Sequence, residues 1–379
     1  MLAGFAVAGS AVEASLLLAG ITISAAVGGP VLGVLLDRAG RPGRLLAGAL
    51  VLYAAGLGMI LAGLGRLPFG VTMLIAVVTG LLGPALSGGW TAQLPRLALG
   101  DRLPRANALD AMTFSGASLA GPALAGGVAE ALGASSAVVV SVALIALALP
   151  AAWMLPTRPG RVRETRTTSL ISDLAAGTRV IVGRAALARA TLSSVVSCVA
   201  QGMLMACVPL LGERVLGGAG RGAVLLSCVA VSALAANAVL ARFPRAVAPD
   251  TIIWVSALVQ AAALALAAVG SPFVLIVAVL VAGIGEGPQL AALFAVRHRE
   301  APDHLRGQIF TTGASLKITG FALGAAVAGP LVTWSLPGAL TLAASVAVLA
   351  ALAFFAVPAA TAHSSADGTL SLERPRGKG

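Results

Sequence analysis

The chain has 379 residues, 58% of them hydrophobic and only 10% charged, with a formal net charge of +11. A soluble domain carries about 25% charged residues and needs far more polar surface than this composition supplies, so a soluble fold is excluded. The positive charge is nearly all arginine, Lys317 and Lys378 being the lysines; it sits in short loops between apolar runs, which reads as membrane orientation rather than nucleic-acid binding.

The chain opens in an apolar stretch, about residues 2–12, with no basic leader pattern. A hydrocarbon layer of roughly 30 Å needs about 20 residues, so this first segment is short; either helix 1 is incomplete or its beginning lies upstream. Glu13 follows at its outer end. Full-length runs then cover about 15–36, 45–64, 69–94, 106–128 and 134–156. A basic stretch at 157–186 interrupts them; its second half has apolar residues at helical spacing and reads equally as a membrane-surface helix or a solvated linker. Further runs cover about 189–211, 221–241, 251–269, 272–296, 308–332 and 337–357. The expected fold is an all-α integral membrane protein with eleven full spans and a partial one. Its expected domains are an N-terminal six-helix bundle (1–156, first helix short), a basic cytoplasmic linker (157–186), a C-terminal six-helix bundle (187–357) and a disordered cytoplasmic tail (358–379). A β-barrel would need alternating strands of about ten residues, and these are absent from the sequence pattern.

Alternate loops are rich in arginine: Arg38, Arg41 and Arg44; Arg96, Arg102 and Arg105; the central linker; Arg242 and Arg245; Arg297, Arg299 and Arg306. This set is expected to face the cytoplasm, with the C-terminus. His298 and His304 share the last of these loops and do not form a metal-binding pattern. Cys198, Cys207 and Cys228 also lack ligand spacing, so no metal is expected. Trp153, Trp254 and Trp334 fall near segment ends, as interface anchors do.

The two halves repeat. Gly83-Pro84-Ala85-Leu86, Asp101-Arg102-Leu103 and Gly116-Ala117-Ser118 recur in order as Gly287-Pro288-Gln289-Leu290, Asp303-His304-Leu305 and Gly313-Ala314-Ser315. Internal duplication of a six-helix unit is the expected explanation.

Between the second and third segments stands Gly33-Val-Leu-Leu-Asp37-Arg38-Ala-Gly40-Arg41, with Arg44 just beyond. This turn resembles the loop 2–3 signature of the major facilitator superfamily. The resemblance implies two six-helix bundles related by a pseudo-two-fold axis, a central cavity and alternating access. Gly33 is expected to permit close packing and Gly40 a tight turn, while Asp37 meets either a helix N-terminus or an arginine of the other half. The corresponding loop of the second half, Ala241-Arg242-Phe243-Pro244-Arg245, keeps the charge but lacks the aspartate and glycines, so the latch is expected to be asymmetric. Gly116, Gly121, Pro122, Gly126 and Gly127 resemble the helix-5 motif of the drug–proton antiporter branch, with one extra residue. They are expected to pack or bend that helix. The branch's arginine in helix 4 is missing; Ala76 stands there.

Charges at membrane depth are costly and mark function. Glu286 and Lys317 each lie about 16 Å from the basic loop between their helices, which motivates a direct pair. Glu13 and Asp110 are further coupling or substrate candidates, Asp110 also as a partner of Arg102 or Arg105. Gln201 and Gln289 are expected to face the cavity, with Gln260 and Asn237 as weaker polar candidates. No phosphate-binding loop is evident, so the chain is read as neither an enzyme nor an ATP-driven pump and needs no cofactor beyond a proton or other ion gradient. Its expected partners are a small-molecule substrate and the lipid bilayer, not nucleic acid, with a monomer as the functional unit in a bacterial-type plasma (inner) membrane. The first reading is proton-coupled export of small amphipathic or hydrophobic compounds. The alternatives are uptake of a small metabolite, or a transport-inactive scaffold or regulator on the same fold.

Overall fold

The computed structural model describes residues 11–157, 169–218 and 221–358, and the side chains of this set except those of residues 11–19 and 21. The expected partial first span falls largely on residues 1–10, the first half of the linker on 158–168 and the tail on 359–379. All three lie outside the described residues.

The described chain is helical throughout. In the first half α1 (Ala11–Arg38) and α2 (Pro42–Gly63) are followed by a span built from three pieces, α3 (Phe69–Gly80), α4 (Gly83–Thr91) and α5 (Leu94–Leu97). Then come α6 (Leu103–Leu132) and α7 (Ala134–Trp153). The linker contributes α8 (Leu170–Gly183). The second half holds α9 (Ala185–Leu216), α10 (Gly222–Arg242), α11 (Pro249–Ala267), α12 (Pro272–Glu300), α13 (Arg306–Trp334) and α14 (Leu336–Ala356). Among the described residues, nine helical stretches are long and apolar enough to cross a membrane, with 69–97 taken as one.

The punctuation is local. Pro42, Pro249 and Pro272 open their helices at positions where a missing N–H costs nothing. Gly133 at φ 87° separates α6 from α7, and Gly217 at φ 80° ends α9 in the left-handed conformation that a side chain disfavours. Ser335 caps α14 by accepting the Gly338 amide at 3.0 Å. Leu147, Phe273 and Trp334 are 76–90% exposed on outer faces, as side chains meeting lipid tails are.

The second bundle packs α9 against α13 and α14, and α12 against α10 and α11, around Met203, Leu211, Leu225, Leu264, Leu275 and Leu340. The first packs α1 on α3, and α7 on α2 and α6. The bundles meet along two seams, α1 against α13 and α6 against α10. Under the sequence repeat α6 corresponds to α13 and α1 to α10, so the two seams are symmetry mates.

The first seam is close because two glycines allow it. A Cβ on Gly29 would overlap Ser315 Oγ and one on Gly33 would overlap Thr311 Oγ1, while Gly28 serves the packing within the first bundle, where a Cβ would overlap the Leu81 carbonyl. The expected packing role of the α6 glycines is corrected. Gly116, Gly121, Gly126 and Gly127 have nothing within 4 Å of where a Cβ would stand, because no described helix lies against that face, and Pro122 lines a cavity instead. Gly40 also has open space and does not adopt positive φ, so the turn there does not require glycine.

Candidate functional site: a central cavity and the latch beneath it

At the arginine-rich end of the molecule Asp37 joins the two bundles. This carboxylate, 5% exposed at the end of α1, accepts the Gly307 amide at 2.9 Å and the Gln308 amide at 2.8 Å. A helix leaves its first N–H groups unpaired and its N-terminus partly positive, so a carboxylate from another helix satisfies both. A Cβ on Gly307 would sit 2.8 Å from Asp37 Oδ1, so glycine there makes the approach possible. The contact with a helix N-terminus is thus present at Asp37.

Neighbouring residues extend the contact. Arg38 bonds Asp173 of α8 at 2.8 Å, and Gln308 Nε2 donates to the Leu174 carbonyl at 3.0 Å. The linker helix thus ties to both bundles. Ser169 caps it by accepting the Ser172 amide, while Ile171 and Val182 stay exposed on its outer face. Arg41 precedes α2 as its N-cap residue, and Arg44 lies 5.1 Å over the Trp153 ring. On the symmetry-related seam the only comparable contact described is an Arg245–Asp101 ion pair whose side chains are 67% and 90% exposed. The two seams are therefore joined by different contacts at this end.

Above Asp37 three aromatic rings seal the same end. Phe114 of α6, Phe294 of α12 and Phe310 of α13 pack with centroids 5.9 and 6.1 Å apart, among Ala92, Ala108, Ala111, Ala241 and Ala291. Above the seal, between the bundles, is a cavity of about 340 Å³ whose lining includes Phe114, Ser115, Ser118, Gln201, Glu286 and Phe321. Glu286 is the ionisable group in that lining. A larger recess of about 560 Å³ between α1, α2 and α3 is lined by Val27, Leu52, Met59 and Leu74 and carries no ionisable side chain.

A chain of glutamines leads from the cavity into the second bundle. Gln201 Nε2 donates to Gln260 at 2.9 Å, and Gln260 Nε2 to Gln289 at 3.0 Å. Gln289 Nε2 donates in turn to Ser197 Oγ at 3.0 Å and the Ile253 carbonyl at 3.2 Å. Gln201 lines the cavity. Gln289 does not: Glu286 and Leu290 hold the cavity face of α12, and Gln289 is buried toward α11.

Other expectations are also revised. Glu286 and Lys317 form no ion pair, because α12 and α13 diverge after their short turn and barely touch; α13 packs on α9 and α1 instead. Each still lies in the other's field. Asp110 is 8% exposed and accepts Thr91 Oγ1 at 2.7 Å, which turns it toward α4 and away from Arg102 and Arg105. The Glu13 side chain is outside the described set. Arg297 and His298 are not loop residues: α12 runs on to Glu300 and buries them to 2% and 6% exposure. The aromatic seal has no signature in the sequence, since single phenylalanines on three separate helices carry no spacing signal.

Two helical bundles joined on paired seams, with a cavity between them sealed at one end, define a membrane carrier that exposes its site to the two sides in turn. A family model described as Major Facilitator Superfamily matches residues 3–317, and the chain belongs to that superfamily, whose members are transporters rather than enzymes. It is a multi-pass secondary transporter of the alternating-access type, moving a small molecule across a lipid bilayer. It is 29% identical over 335 residues to the uncharacterized MFS-type transporter y4rN of Sinorhizobium fredii, covering 87% of this chain and 82% of that one. Its fold is similar to the human organic anion transporter MFSD10 (TM-score 0.75, 16% identity, 89% and 83% of the two chains). It is also similar to FucP in the outward conformation (0.67, 16%, 92% and 91%) and to the proton:xylose symporter XylE (0.70, 15%, 90% and 85%). None of these matches narrows the chain to the efflux branch.

Proposed function

We propose that the chain takes up a small metabolite together with a proton, with Glu286 as the proton carrier. The observation that carries this reading is the placement of one carboxylate, Glu286, in the lining of a cavity between the two bundles. A half-buried carboxylate beside a polar relay can bind a proton from one side and release it to the other. Two proteins of similar fold are described as proton symporters, fucose for one and xylose for the other. The arginine-rich loops, the linker and the C-terminus face the cytoplasm of a bacterial-type plasma membrane, and the monomer is the working unit.

The cavity's apolar members, Phe114, Leu204, Met205, Leu226 and Phe321, favour a second reading, export of an amphipathic or hydrophobic compound. Proteoliposomes separate the two. In symport an inward substrate gradient acidifies the lumen; in antiport it alkalinises the lumen. Glu286→Gln abolishes the proton signal under either reading. A Glu286→Gln variant with unchanged substrate-driven proton flux removes Glu286 as the carrier.

A further inference from the structure

Some buried polar groups near the seal are matched: Asp37 by two amides, Asp110 by Thr91, the glutamines by one another. Others keep unpartnered atoms, among them Gln93, Asn107, Asn237 and His298, and of these unmatched groups Arg297 is the one that carries a full charge into the packing around Phe310. At 2% exposure, its Nε and Nη2 have neither a hydrogen-bond partner nor solvent, and no carboxylate bonds it. Its guanidinium lies 5.7 Å over the Phe310 ring and against Gly313, so closely that a Cβ there would overlap Nη2. Gly313 therefore makes room for a cation whose partner in this conformation is an aromatic face and not an anion. An unpaired buried charge subtracts from stability, so the fold alone does not account for its presence.

The placement is informative. Eleven residues separate Glu286 from Arg297, three helical turns, so both lie on one face of α12 about 16 Å apart. On α13 Lys317 is one turn beyond Gly313 and one turn before the cavity-lining Phe321. Cys198, on the facing wall of α9, lies in the field of Lys317, Glu286 and Arg297 together. Over these turns, Glu286 to Arg297 on α12 and Gly313 to Phe321 on α13, the two helices carry two cations and one acid, and the acid alone lines the cavity. Asp110 and Asp37 are engaged elsewhere and do not offset the difference.

Building on the transport reading above, we infer that the substrate is an amphipathic monoanion. Lys317 holds its acid group at cavity depth, Arg297 receives it beneath the aromatic seal when the seal parts, and the apolar body rests on Met205, Leu226 and Phe321. Glu286 disfavours a second negative charge.

The test uses the full chain in proteoliposomes with fixed-charge probes on naphthalene and benzene bodies: the monosulfonate, the disulfonate and the trimethylammonium. The expected result is at least ten-fold faster movement of the monosulfonate than of the other two. Lys317→Gln and Arg297→Gln each reduce that rate at least ten-fold, and Lys317→Arg retains it. Arg297→Gln unfolds at the same or a higher temperature, since no pair is lost; a large fall in melting temperature together with an intact charge preference overturns the inference in favour of a structural role. Equal or faster movement of the trimethylammonium or disulfonate probe overturns the inference while leaving the transport reading intact. Movement of no probe and no proton, in any charge class, overturns both.

Discussion

Replacing Asp37 by asparagine tests the latch with the least change of shape. Asparagine has one carbonyl where the carboxylate has two acceptors, so one of the Gly307 and Gln308 amides, now held at 2.9 and 2.8 Å, loses its partner. A buried unpaired donor costs about 1–3 kcal/mol. Loss of negative charge at the head of a 29-residue helix adds about 0.3–1 kcal/mol, up to ~2 when partly buried. The sum, about 2–4 kcal/mol, falls on the conformation closed at the arginine-rich end. At 1.4 kcal/mol per factor of ten it moves the closed-to-open ratio roughly 30- to 700-fold. Amide hydrogen exchange over residues 305–312 reads this directly: Asp37→Asn is expected to speed exchange there by more than ten-fold, with α14 unaffected as the internal control. Exchange within three-fold of the parent would show that Asp37 does not hold this end shut.

The seams make contrasting predictions. Gly29→Val puts a side chain onto Ser315 and Thr311 and is expected to lower the melting temperature sharply, by about 2 kcal/mol or more of overpacking, whereas Gly116→Ala, with open space around it, leaves the melting temperature within error. Gln260→Leu strands Gln201 Nε2 and Gln289 Oε1 and is expected to cost about 1–3 kcal/mol in thermal unfolding; a cycle with Gln289→Leu should recover part of the loss, because fewer polar atoms then stand unpaired. Arg245→Ala breaks only an exposed ion pair and is expected to change stability by less than about 1 kcal/mol, leaving exchange at residues 305–312 unchanged.

Much of the fold was legible because lipid imposes strong patterns. Apolar length and loop arginines gave the spans and their alternation. The turn at Gly33–Arg44 carries the family resemblance in its residues alone. What the sequence concealed depends on helix direction rather than composition. Glu286 and Lys317 have matching depth, and depth alone suggested a pair; whether α12 and α13 run side by side is decided by α9, which packs on α13 instead. Gln260 and Gln289 are spaced like any polar residues in apolar helices, and their bond follows from the crossing of α11 and α12. The glycines of α6 and α1 look alike in sequence, yet only those of α1 meet a partner. Arg297 reads as a loop charge because loop boundaries are set by where a helix stops, and α12 runs past it to Glu300.

Alternation itself is tested most directly at Ser118, which is exposed to the cavity above the seal. A Ser118→Cys variant in oriented vesicles, treated with a membrane-impermeant thiol reagent, should react from the arginine-poor side and be protected from the arginine-rich side, with the unsubstituted chain reporting background from the three native cysteines. Adding Asp37→Asn should open reaction from the arginine-rich side and slow it from the other. Equal reaction from both sides in the parent, unchanged by Asp37→Asn, would contradict a carrier that exposes its site to one side at a time.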